Sequence, residues 1–218
     1  MDIHKDIKRV RMMTYFVEAT EELLREEDID GISIRKIAQK AGYNSATIYN
    51  YFDDLEHLLL FSSVHYLHQY TTELARNIDS DMPALEKSRI IYKTFNSFAF
   101  RSPEIFYNMF FGKYSRRLTQ VIKEYYELFP DDLEQQSGYV KQMLMQGNVY
   151  ERDREIVKDL VRGGNVSEEK ADFVIELLVR TQQSYLYEIL INQDRINPDE
   201  HNEKFLKLFD SITEISKP

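Results

Sequence analysis

Apolar residues in this chain recur at helical rather than strand spacing almost throughout. Ile7, Val10, Met13 and Val17 lie three, three and four residues apart, with Phe16, Leu23 and Leu24 on or beside the same face. That pattern predicts an amphipathic helix over roughly 4–28, broken by Asp30-Gly31. Two short patterns follow, Ile34, Ile37, Ala38 and Ala41, then, beyond Gly42, Ile48 and Phe52. Asp53-Asp54 can cap a longer helix to about Ile78, with Leu55, Leu58, Leu59 and Ser62 facing inward. Asp79-Ser80-Asp81-Met82-Pro83 reads as a linker, capping residues followed by a helix-starting proline. Helices are predicted near 83–101, 103–112 and 114–129, then a polar stretch at 131–138. A helical region of about 139–162 contains Gly147 and ends at Gly163-Gly164, and helices at 167–192 and 198–215 complete the chain. No series of alternating strands, internal repeat or low-complexity tract interrupts this. The expectation is an all-α protein of about nine or ten helices with a seam near 79–83.

Composition narrows the function classes. The 218 residues carry 28 Lys plus Arg and 37 Asp plus Glu, a formal charge of −9. An acidic balance argues against a chain coated in nucleic acid or lying on anionic lipid, but leaves room for one basic face. Hydrophobic residues at 43% are too many for a disordered chain. The absence of cysteine removes disulfides, thiolate metal sites and cysteine nucleophiles, and fits a reducing compartment. No apolar run approaches the ~18 residues of a membrane span, and the first residues lack a signal peptide's apolar stretch. A cytoplasmic protein with no membrane partner is expected.

The informative segment is 33–52. Ser33 is a good N-cap for a helix of about two turns, Gly42 can end it in the left-handed conformation, and Asn44 can cap the next. Ile48 and Phe52 anchor one side of that second helix, leaving Ser45, Ala46, Tyr49 and Asn50 to solvent. A short exposed helix with small side chains near its start can enter a major groove and read base edges. Charge agrees: residues 31–52 hold Arg35, Lys36 and Lys40 and no acid, +3 in a chain otherwise −12. Lys5, Lys8, Arg9 and Arg11 add a basic N-terminal edge.

Over about residues 8–62 the sequence resembles the TetR (tetracycline-repressor-like) family of bacterial transcriptional regulators. The likeness rests on the long first helix, Gly31, the Ile-Ala-x-x-Ala-Gly core at 37–42, Ile48-Tyr49 followed by Tyr51-Phe52, and Leu58-Leu59. The resemblance implies a three-helix helix-turn-helix domain at 1–52, a connecting helix at 53–78 and a helical effector-binding and dimerisation domain at 79–218. It further implies DNA contacts from Ser33, Arg35, Lys36, Tyr43, Asn44, Ser45, Ala46, Thr47, Tyr49, Asn50 and Tyr51. Arg35 would reach phosphate or a base edge, Ser45, Ala46 and Thr47 would face the groove, and the Tyr49 and Tyr51 hydroxyls would meet the backbone. Two features depart from the pattern. Position 55 is Leu where the family commonly has Lys, and Asp53 and Asp54 add negative charge beside the expected DNA face.

Residues 92–129 contain 12 aromatics in 38, about 32% against 13% overall. Most belong to a packed core, but the family keeps its effector pocket in this region. Phe95, Phe98, Phe106, Phe110, Phe111, Tyr114 and Tyr125 are therefore the expected lining for a lipophilic or planar organic effector. Glu124 or Glu127, if inward, would select a cation. His65 and His68 have metal-compatible spacing without a carboxylate partner at the next turn, so no metal, and no cofactor, is expected. No phosphate-binding glycine motif occurs, and Glu124 with Glu127 reads as a solvated pair rather than catalytic machinery, so the chain is not expected to be an enzyme. Apolar positions around helices 167–192 and 198–215 predict a homodimer through a four-helix bundle. Two recognition helices would then meet a near-palindromic operator. The expected function is a ligand-responsive DNA-binding regulator, a repressor released by its effector. The rival, which Leu55, Asp53 and Asp54 favour, is a helical small-molecule-binding protein or enzyme whose helix-turn-helix no longer serves DNA.

Overall fold

A computed structural model describes residues 3–79, 81–112, 114–134, 138–192 and 195–218. Among them the chain is helical and no strand occurs. The elements are α1 (Ile3–Glu26), α2 (Ile34–Ala41), α3 (Ser45–Ile48), α4 (Leu55–Asn77), α5 (Ala84–Ala99), α6 (Pro103–Phe110), α7 (Leu118–Leu128), α8 (Asp131–Glu134), α9 (Gly138–Leu144), α10 (Val149–Arg162), α11 (Ala171–Ile191) and α12 (Pro198–Ile215). Twelve α-helical segments among the described residues exceed the nine or ten expected, because a four-residue turn, α8, forms in the stretch read as polar and the region read as one helix at 139–162 divides into α9 and α10.

Local chemistry sets the boundaries. Ser33 accepts the Lys36 N–H at 3.3 Å at the start of α2, and Gly42 ends it at φ 76°. Asp54 accepts the His57 N–H at 2.7 Å at the start of α4. Pro198 opens α12 behind Asn197, which accepts the Asp199 N–H at 3.0 Å. The region expected as one helix at 139–162 is two. A Cβ at Gly147 would overlap the backbone of Thr119, so the chain passes too close to α7 for any other residue, and Asn148 restarts the helix by accepting the Tyr150 N–H. In the expected linker, the Asp79 side chain accepts the Asp81 N–H; Ser80 lies outside the described residues.

α4 is the central strut. It packs against α1 on one side and against α5, α6, α7 and α8 on the other, while α10 packs on α5, α9 and α11, and α12 on α5 and α11. A run of aromatic contacts crosses its N-terminal half: Phe16 to Phe52 at 6.5 Å between ring centroids, Phe52 to Phe61 at 5.5 Å, and Phe61 to Tyr125 at 5.3 Å. Each tilted or edge-on pair contributes about 0.5–1.5 kcal/mol beyond area burial. The helix-turn-helix and the α5–α12 layer therefore share one continuous core.

The expected bundle face of α11 and α12 needs correction. Val174, Ile175, Leu178, Gln182, Leu186, Ile189, Phe205, Phe209 and Ile212 are buried within the chain itself, because α5, α6 and α10 cover them. What stays exposed is a different stripe, Phe173, Tyr187 and Ile191 on α11 with Leu208 and Ile215 on α12.

Candidate nucleic-acid interface and buried cavity

α2, the turn at 42–44 and α3 project from the α1–α4 framework. Asn44 accepts both the Thr47 N–H at 2.9 Å and the Thr47 hydroxyl at 3.0 Å, so these two side chains are spent on the α3 cap. Tyr43 and Tyr51 lean on Phe16, with ring centroids 5.5 and 6.0 Å away, which fixes both ends of the reading segment to α1. Regular helix ends at Ile48, and residues 49–51 continue as turn. Tyr49 is 57% exposed and Ala46 and Asn50 are exposed, while Ser45 is half-buried. The outward set read from the spacing is thus displayed by one helical turn and the turn that follows.

The basic character is smaller than the sequence suggests. Lys36 Nζ lies 2.5 Å from Glu27 and donates to the Gly31 carbonyl at 2.9 Å. Lys40 Nζ lies 2.7 Å from Glu26 and 3.3 Å from Glu22, and its hydrogen bond to Glu26 raises its pKa. Two of the three cations are therefore matched by the acidic end of α1, whose return past α2 linear charge counting misses. Arg35 is exposed and forms no ion pair among the described residues, and Lys8, Arg9 and Arg11 are also exposed. The side chain of Lys5 lies outside the described residues.

Asp54 caps α4 as its position predicts, and both Asp53 and Asp54 face a cation from the C-terminal helices. Arg117, just ahead of α7, donates through Nη1 to both Asp54 oxygens at 3.0 and 2.8 Å. The same guanidinium lies 3.5 Å from Asp53 and 3.9 Å from Glu56. Burial raises the Asp54 carboxyl, but the His57 N–H and the Arg117 guanidinium outweigh it and hold the group below its ordinary range. Leu55 packs against the core. His57, buried beside them, has Nε2 3.0 Å from Glu124 of α7, and Glu104 of α6 accepts the Ile29 N–H at 2.8 Å. Three polar fasteners thus tie the reading head to α6 and α7.

A cavity of about 30 Å³ lies between α4, α5, α6, α9, α10 and α11. Of the seven aromatics expected to line an effector site, Phe95 and Phe110 do. Phe98, Phe106, Phe111, Tyr114 and Tyr125 do not line this cavity, since their rings pack on neighbouring helices or at its outside. Neither Glu124 nor Glu127 reaches it: Glu124 faces His57, and Glu127 is exposed. Tyr70, Tyr92, Arg152, Asp153 and Gln182 complete the wall and were not foreseen. The signal was there, because Val149, Arg152, Asp153, Ile156, Val157 and Leu160 share the buried face of α10. His65 lies 2.6 Å from Glu21, the His68 side chain is outside the described residues, and the described residues form no metal-binding cluster.

Residues 16–60 match the family model of bacterial regulatory proteins, tetR family. That segment, from Phe16 on α1 to the first turns of α4, carries the N-terminal pattern of the tetR family. Among solved structures, FadR from Bacillus subtilis in complex with stearoyl-CoA superposes with a TM-score of 0.58 at 15% identity, covering 90% of this chain and 96% of that one. Thermus thermophilus FadR, a TetR-family transcriptional repressor in complex with lauroyl-CoA, gives 0.56 at 18% identity over 90% and 92%. SmeT, the repressor of the Stenotrophomonas maltophilia multidrug efflux pump SmeDEF, gives 0.53 at 12% over 91% and 88%. At these identities the likeness is one of fold. No curated protein matches the sequence significantly. No described helix is long and apolar enough to cross a membrane.

Proposed function

We infer that this TetR-family regulator is a repressor that binds a near-palindromic operator as a homodimer and is released by a small organic effector. The observation that carries the DNA half is the exposed Ala46–Tyr49–Asn50 surface, held rigidly by the Asn44 cap and by Tyr43 and Tyr51 on Phe16. Residues 1–52 form the reading unit in this account, 53–78 the strut and 79–218 the effector and dimer unit. Ser33, Arg35, Lys36, Tyr43, Asn44, Ser45, Ala46, Thr47, Tyr49, Asn50 and Tyr51 make up its DNA surface, with Arg35 and Tyr49 the strongest contributors. Arg9 and Arg11 lie seven and five residues ahead of Phe16 on α1, roughly 10 and 8 Å along the helix axis, and supplement the phosphate contacts. Arg117 pairs with Asp54 and lies 3.5 Å from Asp53, which reduces the negative charge that favoured a helix-turn-helix without DNA.

Dimerisation is supported by the exposed apolar side chains that the chain itself leaves uncovered, Phe173, Tyr187 and Ile191 on α11 and Leu208 and Ile215 on α12. A two-fold axis through α11 and α12 would set the reading heads about one DNA turn apart, ~34–36 Å. Effector binding is supported by the buried cavity and by the acyl-CoA complexes of the two FadR neighbours. Gel-shift of the duplex upstream of the chain's own gene, against excess random duplex, tests the reading. Retardation that random competitor abolishes at every salt concentration contradicts it.

A further inference from the structure

We propose that the cavity beside α10 takes a lipophilic monoanion, a carboxylate first of all, with Arg152 as its counter-ion; this rests on reading the C-terminal helices as an effector unit. Arg152 is buried, and the groups that hold it are neutral. Its Nε donates to the Gln146 carbonyl at 2.6 Å, its Nη2 donates to the Leu144 carbonyl at 3.1 Å, and its guanidinium lies 4.8 Å over the Phe110 ring. Among the described residues it forms no ion pair. The adjacent acid, Asp153, is buried too and accepts the Tyr92 hydroxyl, and burial pushes its carboxyl up to about 7. At neutral pH and below, the cavity therefore holds a full positive charge without a full negative one to match.

A buried charge lacking its opposite is costly, and a ligand that supplies the opposite charge relieves that cost. Carboxylate suits a guanidinium best, because two parallel bonds form between opposite charges, where a neutral carbonyl accepts without a charge of its own. Tyr70, Ile91, Phe95, Met143 and Ile156 give the rest of the wall an apolar character suited to a hydrocarbon or aromatic body. A cationic effector would meet Arg152 at close range, which disfavours the class that an inward Glu124 or Glu127 would have selected.

The present space of about 30 Å³ holds one or two waters, so the ligand enters by opening a wall. The segment that gives is 144–148, between the lining residues Met143 and Val149, because the ligand carboxylate competes for the same guanidinium that holds its carbonyls. Gly147 of that segment packs on Thr119, two residues beyond Arg117. Release of this segment consequently reaches the fasteners on Asp54 and His57.

Asp153 gives the proposal a distinctive signature. The titratable groups around it are Tyr92 from α5, Tyr70 from α4, Tyr126 from α7, and Arg152 and Tyr150 from α10. Burial raises the Tyr70 and Tyr150 hydroxyls above their ordinary range, so neither gains charge where Asp153 titrates. A bound carboxylate favours its protonated form, which donates a hydrogen bond rather than repelling, so binding takes up a proton and weakens as pH rises through about 7.

The test is calorimetric titration of the full chain, without DNA, using octanoate, octan-1-ol and octylammonium, which share a tail and differ in head group. Octanoate, ionised throughout the range, should bind best and lose affinity about tenfold between pH 6 and 8, the effect of one proton. Asp153→Asn should hold the pH 6 affinity at both values. Arg152→Gln, with its fold checked by circular dichroism, should lose octanoate at least tenfold and leave octanol unchanged. The proposal is overturned if octanol or octylammonium matches octanoate, if octanoate fails to bind at millimolar concentration, or if Arg152→Gln binds it normally. Should Arg152→Gln not fold, the Asp153→Asn arm decides: a pH-independent wild type overturns the proposal. Octanoate that binds yet leaves operator affinity unchanged counts against the regulatory reading and not against the site.

Discussion

Replacing Arg117 by Gln removes the strongest fastener between the reading head and α7. The guanidinium grips both Asp54 oxygens at 3.0 and 2.8 Å and lies 3.5 Å from Asp53. A unit-charge pair about 4 Å apart is worth about 4 kcal/mol at an effective dielectric of 20 and about 1 kcal/mol in bulk water. Side-chain exposures of 29% for Arg117 and 51% for Asp54 place this pair near the aqueous end. After the cost of ordering two side chains, about 0.5–1 kcal/mol remains, or about 1–4 °C in melting temperature for a chain of this length. Asp54 also caps α4, and Asn caps as well as Asp, so Asp54→Asn removes the charge while keeping the cap. A double-mutant cycle of Arg117→Gln with Asp54→Asn, followed by urea unfolding, isolates the pair. The Asp54 pKa is depressed in the fold, so the coupling is fully present above the unfolded carboxylate value and disappears as pH falls through the folded one. Coupling of about 0.5–1 kcal/mol at pH 7 that is lost in acid, as pH falls through the depressed Asp54 value, is the expected outcome. Strictly additive single effects at pH 7 would refute the claim that Arg117 fastens the head.

Further outcomes follow from the same geometry. Tyr49→Ala should weaken operator binding by about 1–3 kcal/mol in fluorescence anisotropy while leaving the melting temperature unchanged, because the ring is 57% exposed. Phe16→Ala should destabilise by about 3–5 kcal/mol, since a fully buried ring that carries Tyr43, Tyr51 and Phe52 leaves a cavity; a loss under 1 kcal/mol by calorimetry contradicts its anchoring role. Ile191→Glu with Leu208→Glu should fold normally and return a 26.0 kDa species by light scattering where the wild type returns twice that.

Helix content, the Ser33, Asn44 and Asp54 caps and the Gly42 stop were legible because each depends on neighbours within a few residues. So was the outward set on α3, fixed by the inward anchors Ile48 and Phe52. Charge at the reading head was misread because Lys36 and Lys40 meet Glu27, Glu26 and Glu22 only once α1 folds back past α2. Arg117 was invisible for the same reason, its partners lying some sixty residues earlier in sequence. The aromatic count marked the right region but not the lining, since composition does not say which ring faces a void and which faces a helix. Arg152 and Asp153 were readable, as charges on the apolar face of α10, and show that violations of periodicity deserve as much weight as its matches.

The central claim, that Ala46, Tyr49 and Asn50 display a sequence-reading surface in a two-fold dimer, is tested most directly by selection from a random duplex pool with the wild type and Tyr49→Ala in parallel. The account predicts enrichment of a near-palindromic site whose half-sites are about one helical turn apart, with affinity falling steeply as salt rises, and loss of that enrichment in the variant. A pool that stays random, or one enriched equally by Tyr49→Ala, would contradict it.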